Sequence, residues 1–444
     1  MPVPSRLRRL FSAALPAVAA MALTACNNAA YPNSIFHDHT EFNREVGTLF
    51  KILIYLGTAV FIFVEVLLLY VIFRYRRRSE NDRPEHVHGN TTLEILWTAI
   101  PALILAFIAV PTVRTIFRTQ AKAKADALRV EVIGHQWWWE FRYPQYKVTT
   151  AGELYLPLGR TVNFTLQTHD VLHSFWVPQL GGKRDLITNH KNFLWFTPDS
   201  IGVSALNGMC VEYCGASHAN MRFKAFTVTP AEFEQWAAHQ ASPAAYGAIA
   251  PVAPAGAATG ATPATAPAGA AADTTKRVAA AAAAAAPAPV DTAAAPAATV
   301  QQAGFVSYPR EKLPEWTVPK TPTPAGLTFN TALAGNADRG LKLLSTGVGG
   351  CVGCHMIAGN PVMMGVIGPN LTHIASRTTI GAGLFPNDAK HLAMWIKNAR
   401  AMKPGVVMPT LGKGQFDPVT KAVVPMGLTD EQIADIVAYL QALK

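Results

Sequence analysis

The segment Cys210-Val-Glu-Tyr-Cys214-Gly-Ala-Ser-His218-Ala-Asn-Met221 places two thiols, an imidazole and a thioether within twelve positions. Soft sulfur donors combined with imidazole select copper or zinc among the common metals. Upstream, His169-Asp-Val-Leu-His173-Ser-Phe-Trp176 offers His173 as another strong ligand, provided that the fold carries it to the cysteine loop. The residues alone leave three readings: a tetrahedral zinc site of two Cys and two His, a disulfide between Cys210 and Cys214, and a copper electron-transfer site. Met221 favours copper, because zinc has little use for a thioether whereas copper electron-transfer sites commonly carry a weak axial methionine.

A second constellation, Cys351-Val-Gly-Cys354-His355, has the spacing of a c-type haem attachment: two thiols to form thioethers and an adjacent histidine as iron ligand. A distal methionine must come from farther along. The seven that follow are Met356, Met363, Met364, Met394, Met402, Met408 and Met426. Met408 is the expected ligand, in Lys403-Pro-Gly-Val-Val-Met408-Pro409, a setting that resembles the Met-Pro loop of class I cytochromes c. Gly368-Pro369-Asn370-Leu371 resembles the haem-packing loop of the same family, and the other methionines are expected to pack. Methionine on haem iron raises the reduction potential, which suits an electron donor.

Elements able to position these groups follow from the pattern. A chain of 444 residues exceeds one ordinary core, so several domains are expected. A mean hydropathy of +0.18 with half of the residues hydrophobic fits a few membrane spans carrying soluble domains. The net charge of +10 is scattered, apart from Arg74, Arg76, Arg77 and Arg78 beside an apolar run, so a membrane flank is expected and nucleic-acid binding is not. Leu49 to Phe73 and Leu93 to Phe117 are each long and apolar enough to span a bilayer. The arginine-rich loop between them belongs in the cytoplasm by the positive-inside rule, which puts everything after Phe117 outside.

Of five cysteines, only Cys26 has no place in the two constellations. It follows Arg6, Arg8, Arg9 and an apolar segment ending in Leu23-Thr24-Ala25, the layout of a secretory signal and similar to a bacterial lipoprotein cleavage box, so Cys26 is the expected lipidation site. The chain divides into a lipoprotein-like signal (1–25), an N-terminal segment with a transmembrane helical hairpin (26–120), a β-domain (121–240), a flexible Ala/Pro-rich linker (241–325) and a helical domain (326–444). Short β-rich runs at Leu128–Ile133, Arg160–Leu166 and Asn192–Phe196 imply a small sandwich or barrel, closed by a helix over Ala231–His239. The residues from Ala241 to Ala303 offer almost nothing large and apolar to bury. Thr429 with Gln432 forms a capping box ahead of an apolar helical pattern to Leu443.

The motif C-x-E-x-C-G-x-x-H-x-x-M, preceded by D-x-x-H-S-F, resembles the CuA signature of subunit II of haem-copper cytochrome c oxidases. The resemblance implies a cupredoxin-like β-domain holding dinuclear copper, with Cys210 and Cys214 bridging two coppers, His173 and His218 each binding one, and Met221 and the Glu212 carbonyl completing the shells. It implies that the Glu212 side chain faces a magnesium ion shared with subunit I. Trp137, in Gly134-His-Gln-Trp137-Trp138-Trp139-Glu140, lies where the family carries the tryptophan through which electrons reach CuA; the bland reading of that run is a strand with packed indoles. Leu93-Glu94-Ile-Leu-Trp97-Thr98 is similar to the start of the family's second helix, where Glu94 marks a proton pathway into subunit I, although a carboxylate there also reads as a solvated helix end.

Joined to an all-α class I cytochrome c domain, this layout implies the electron-accepting subunit of a terminal oxidase in a bacterial inner membrane. Its soluble domains would be periplasmic, its partners subunit I and subunit III, and its donor a cytochrome c or a quinol-cytochrome c reductase; oxygen reduction with proton translocation would belong to the assembled complex. Three rivals fit less of the chain. Quinol oxidase subunits generally lack the copper ligands, nitrous oxide reductase lacks the two-span anchor, and a free-standing electron carrier would have no catalytic partner.

Overall fold

The computed structural model describes residues 33–79, 88–199, 205–244 and 304–444. The signal, Cys26 and most of the expected linker lie outside the described residues.

Two long helices open the structure. Helix α1 (Glu41–Arg74) starts at Thr40, whose hydroxyl accepts from the Asn43 amide. Helix α2 (Thr91–Thr119) starts at Asn90, whose side-chain oxygen accepts from the Leu93 amide, and contains Pro101 and Pro111. Their apolar stretches bury nothing inside the protein, so a bilayer or another subunit has to cover them. Glu94 is exposed in the first turn of α2. At the other end, Arg118 pairs with Glu45, Trp195 donates to the Ala121 carbonyl at 2.7 Å, and Thr197 donates its amide to Glu41 at 3.0 Å. These contacts seat the β-domain on the end of the hairpin away from the arginine cluster.

The β-domain is a sandwich of two five-stranded sheets. The first contains β1 (Leu128–His135), β2 (Trp138–Tyr143), β3 (Val148–Ala151), β5 (Val162–Thr168) and β8 (Asn192–Phe196), in the order β3-β2-β1-β5-β8. The second contains β4 (Glu153–Pro157), β6 (His173–Trp176), β7 (Arg184–Leu186), β9 (Ala205–Cys210) and β10 (Arg222–Val228), in the order β4-β10-β9-β6-β7. Strand alternation fills the space between: Leu128, Val130 and Val132 of β1 are fully buried against Phe164, Phe175 and Phe223, while Arg129 points outward. The closing helix, α3 (Pro230–Ala241), is nucleated by a capping box of Thr229 and Glu232 and buries Phe233 and Trp236.

The C-terminal domain is helical. Helix α4 (Ala337–Ser345) crosses α7 (Asp430–Ala442), and their junction is fixed where Arg339 grips Asp435 through Nε at 2.7 Å and Nη2 at 2.8 Å. Between them lie the short α5 (Cys351–Cys354) and α6 (Ala389–Met402). The capping box of Thr429 and Gln432 is present at the start of α7.

One expected boundary does not match. The flexible Ala/Pro-rich linker is expected to run to residue 325, yet Tyr308 is 9% exposed and enters the sandwich core, with Phe305, Leu313 and Trp316 packed against that core. The prolines limit the stretch to single helical turns at Arg310–Lys312 and Glu315–Thr317, but they do not prevent intervening aromatic side chains from being buried. The β-domain and the helical domain belong to one compact unit.

Candidate metal centre and haem cavity

The antiparallel pairing of β6 with β9 sets Phe175 opposite Cys210, which brings His173 beside the cysteine loop from 37 residues away. The Sγ atoms of Cys210 and Cys214 are 3.8 Å apart, far beyond the roughly 2.05 Å of a disulfide. His173 Nδ1 lies 3.8 Å from the Cys210 sulfur, and His218 Nδ1 lies 3.6 Å from the Cys214 sulfur. Met221 Sδ is 3.9 Å from Cys214 Sγ, and the Glu212 carbonyl is 3.2 Å from Cys210 Sγ. All six expected groups therefore converge. The donor atoms of His173, Cys210 and Cys214 fall within 4.8 Å of one another. Each imidazole addresses a different sulfur, an arrangement better suited to two ions sharing a sulfur pair than to one tetrahedral ion.

The local electrostatics suit soft cations. The hydrogen bond between the two sulfurs holds Cys210 well below the usual thiol range, while the same contact and burial push Cys214 up. Burial would lower the His173 pKa, but hydrogen bonds to Asp170 and Cys210 raise it overall. Asp170 accepts from His173 Nε2 at 2.8 Å and from the Gln136 amide at 2.7 Å, which leaves Nδ1 aimed at the sulfurs. The chemistry of this donor set fits copper.

Tryptophan 137 abuts the loop. It is 9% exposed, and its indole Nε1 donates to the Cys214 carbonyl at 2.9 Å, an oxygen that Gln136 Nε2 also reaches at 2.8 Å. The same residue, with Gln136, Trp138, Ala151 and Gly152 of the β-domain, helps to wall a cavity of about 290 Å³ whose remaining lining comes from the helical domain. Cys351, Cys354, His355 and Met408 line that cavity, along with Leu371 and Ile380. His355 Nδ1 is 2.8 Å from the Pro369 carbonyl, which can only accept, so Nδ1 carries the proton and Nε2 is left as a lone-pair donor. Burial lowers the His355 pKa and keeps it neutral, as a ligand must be. An apolar slot with two thiols at one wall fits a covalent haem.

Of the other methionines, Met363, Met394 and Met402 are buried in the helical core, whereas Met364 and Met426 are exposed. Sequence reasoning missed Asp170, Gln136, Ser217 and Lys403. Asp170 was visible as part of D-x-x-H-S-F; the other three are significant only through partners distant in sequence. Lys403 is 2% exposed, and its Nζ donates to the Trp137 carbonyl at 2.6 Å; burial pushes its pKa down to about 7.

The family described as cytochrome C oxidase subunit II, transmembrane domain, matches residues 36–115. The subunit II periplasmic domain matches residues 147–228, and cytochrome c matches residues 337–444. Trp137 falls between the first two stretches. Cytochrome c oxidase subunit 2 of Alkalihalophilus pseudofirmus is 28% identical over 380 residues, 84% of this chain and 80% of that one. Its counterpart in Bacillus sp. strain PS3 is 41% identical over 175 residues, 37% of this chain and 49% of that one. The probable cytochrome c oxidase subunit 2 of Rickettsia bellii is 31% identical over 225 residues, 46% of this chain and 82% of that one.

Proposed function

The chain belongs to the cytochrome c oxidase subunit II family, and from that premise we propose that it takes electrons from an external donor on its helical domain and hands them through its β-domain to subunit I. When bound, haem c and dinuclear copper supply the one-electron redox steps. Cys210, Cys214, His173, His218, Met221 and the Glu212 carbonyl are the groups that would hold the copper pair. Cys351 and Cys354 would hold the haem covalently, and His355 and Met408 would be its protein ligands.

A single observation carries the reading. Trp137 lines the cavity that holds Cys351, Cys354 and Met408, and its indole also hydrogen-bonds the backbone of Cys214 at 2.9 Å. One side chain thus spans the two candidate centres. Because Trp137 is almost covered, an external donor such as a cytochrome c or quinol-cytochrome c reductase meets the helical domain instead. The exposed apolar faces of α1 and α2 suit a bilayer and subunit I.

The wider reading places the complex in a bacterial inner membrane with both soluble domains periplasmic, subunit III as a further partner, Cys26 lipidated and a magnesium ion beside the Glu212 side chain. Oxygen reduction and proton translocation are then carried out by the whole complex, with Glu94 at the mouth of a proton pathway. The family relation and the loop contacts support the copper assignment over zinc.

In Met221→Leu or His218→Ala, the assembled oxidase should keep donor-driven reduction of haem c, lose the mixed-valence copper signal in electron paramagnetic resonance and lose most oxygen uptake. Normal oxygen uptake in either variant would refute the copper assignment; zinc without copper in the purified wild-type chain would refute the oxidase reading.

A further inference from the structure

The helical domain meets the β-domain along a seam beside Trp137. The turn Lys403-Pro404-Gly405, which leads to Met408, lies against Trp137 and the loop between Cys214 and His218. Two hydrogen bonds cross there in opposite directions. The Lys403 ammonium leaves the helical domain to donate to the Trp137 carbonyl at 2.6 Å, while the Ser217 hydroxyl leaves the β-domain to donate to the Pro404 carbonyl. The Arg222 amide adds a third bond, to the Ala382 carbonyl at 3.2 Å.

The approach is too close for a side chain on the turn. Gly405 has φ +82°, and a Cβ there would lie 2.6 Å from the Trp137 ring. A lysine that is 2% exposed has given up its hydration, a cost offset only where carbonyls receive its protons; the Trp137 carbonyl and, at 3.4 Å, the Gly381 carbonyl do so. The mechanism described above uses Trp137 but does not use Lys403.

We propose that Lys403 and Ser217 form a reciprocal clamp that holds the Lys403-Pro404-Gly405 turn on Trp137 and so fixes the haem cavity at one distance from the cysteine pair. The clamp makes Lys403 a positioning residue. Its inference rests on the reading that electrons cross at Trp137. Because the bonds are few and specific, they set register more than they add affinity, as buried polar pairs tend to do.

The test uses the full chain in its oxidase complex, comparing wild type with Lys403→Met and with Gly405→Ala, which wedges the same seam without removing the amine. Two readouts are needed: hydrogen exchange at the Arg222 amide, measured with and without copper, and the rate of haem c to copper electron transfer after flash reduction. Both variants should raise Arg222 exchange and slow the transfer at least about tenfold, because small misplacement of reacting partners is costly, with haem and copper spectra unchanged. Unchanged exchange and rate in Gly405→Ala, or in a spectrally intact Lys403→Met, would overturn the clamp. If wild type shows Arg222 protection that both variants lose, but no transfer from haem c to copper, the clamp stands and the electron route fails.

Discussion

At the residue scale, much of the candidate metal centre was legible because its candidate ligands are local. Cys210, Cys214, His218 and Met221 share one loop, so their types and spacing carry the chemistry without any knowledge of the fold. His173 could be nominated only as a residue to be delivered, and the pairing of β6 with β9 is what delivers it. Asp170 marks the limit of such reading: its carboxylate orients His173 through Nε2, a role that depends on the ring direction rather than on sequence. An amide at this position would keep the shape and weaken the charge-assisted bond. Asp170→Asn should therefore reduce copper affinity about 10–100-fold, the usual loss when a partner of a ligating histidine is changed, and alter the copper hyperfine pattern. Competition with a copper chelator measures the first and paramagnetic resonance the second; wild-type values for both would show that Asp170 does not hold His173.

At the element scale, the long helices and the capped α3 and α7 were visible in periodicity and capping residues, because those signals are local. The short strands β3, β4, β6, β7, β9 and β10 were not separately visible, since runs of three to seven residues, several of them buried on both faces like β4 and β10, give little alternation to read. The crossing of α4 over α7 was also hidden. It depends on glycine at two points: a Cβ on Gly335 would lie 2.1 Å from the Ala434 carbonyl oxygen, and one on Gly340 2.0 Å from the Asp435 carbonyl oxygen. The obstruction is backbone, so it cannot swing away as a side-chain tip could. Gly340→Ala should force the helices apart and destabilise the helical domain by about 1–3 kcal/mol, the range for overpacking a close contact, outweighing the gain in helix propensity. A thermal melt followed at the haem absorption band would show the lowered midpoint, and an unchanged or raised midpoint would mean that the helices do not cross this closely.

At the scale of the whole molecule, composition misled where the chain passes from linker to domain. Prolines at 309, 314, 319, 322 and 324 made residues 304–325 look like more spacer, and the aromatic residues among them were the overlooked signal. This stretch acts as a strap. The Phe305 amide donates to Gln235 at 2.7 Å and the Tyr308 amide to the Tyr155 hydroxyl at 3.0 Å, which holds the strap to the β-domain. Arg310 then reaches the helical domain, with Nη1 2.6 Å from the Asn387 carbonyl and Nη2 at 2.9 Å from that of Ala375 and 2.6 Å from that of Arg377. Glu153 reinforces the join from β4 by accepting from the Thr378 amide and hydroxyl. Three carbonyls share one guanidinium, so removing it loosens the helical domain from its neighbour without touching either core. Hydrogen bonds to charged groups are worth about 1.5–3 kcal/mol. Arg310→Ala should therefore lower the midpoint of the helical domain and uncouple its unfolding from that of the β-domain, so that a scan of the full chain resolves two transitions separated more widely than in wild type. If the transitions keep their spacing, the Arg310 contacts are a passenger and the domains are joined by the seam at Trp137 and the Glu153–Thr378 bonds.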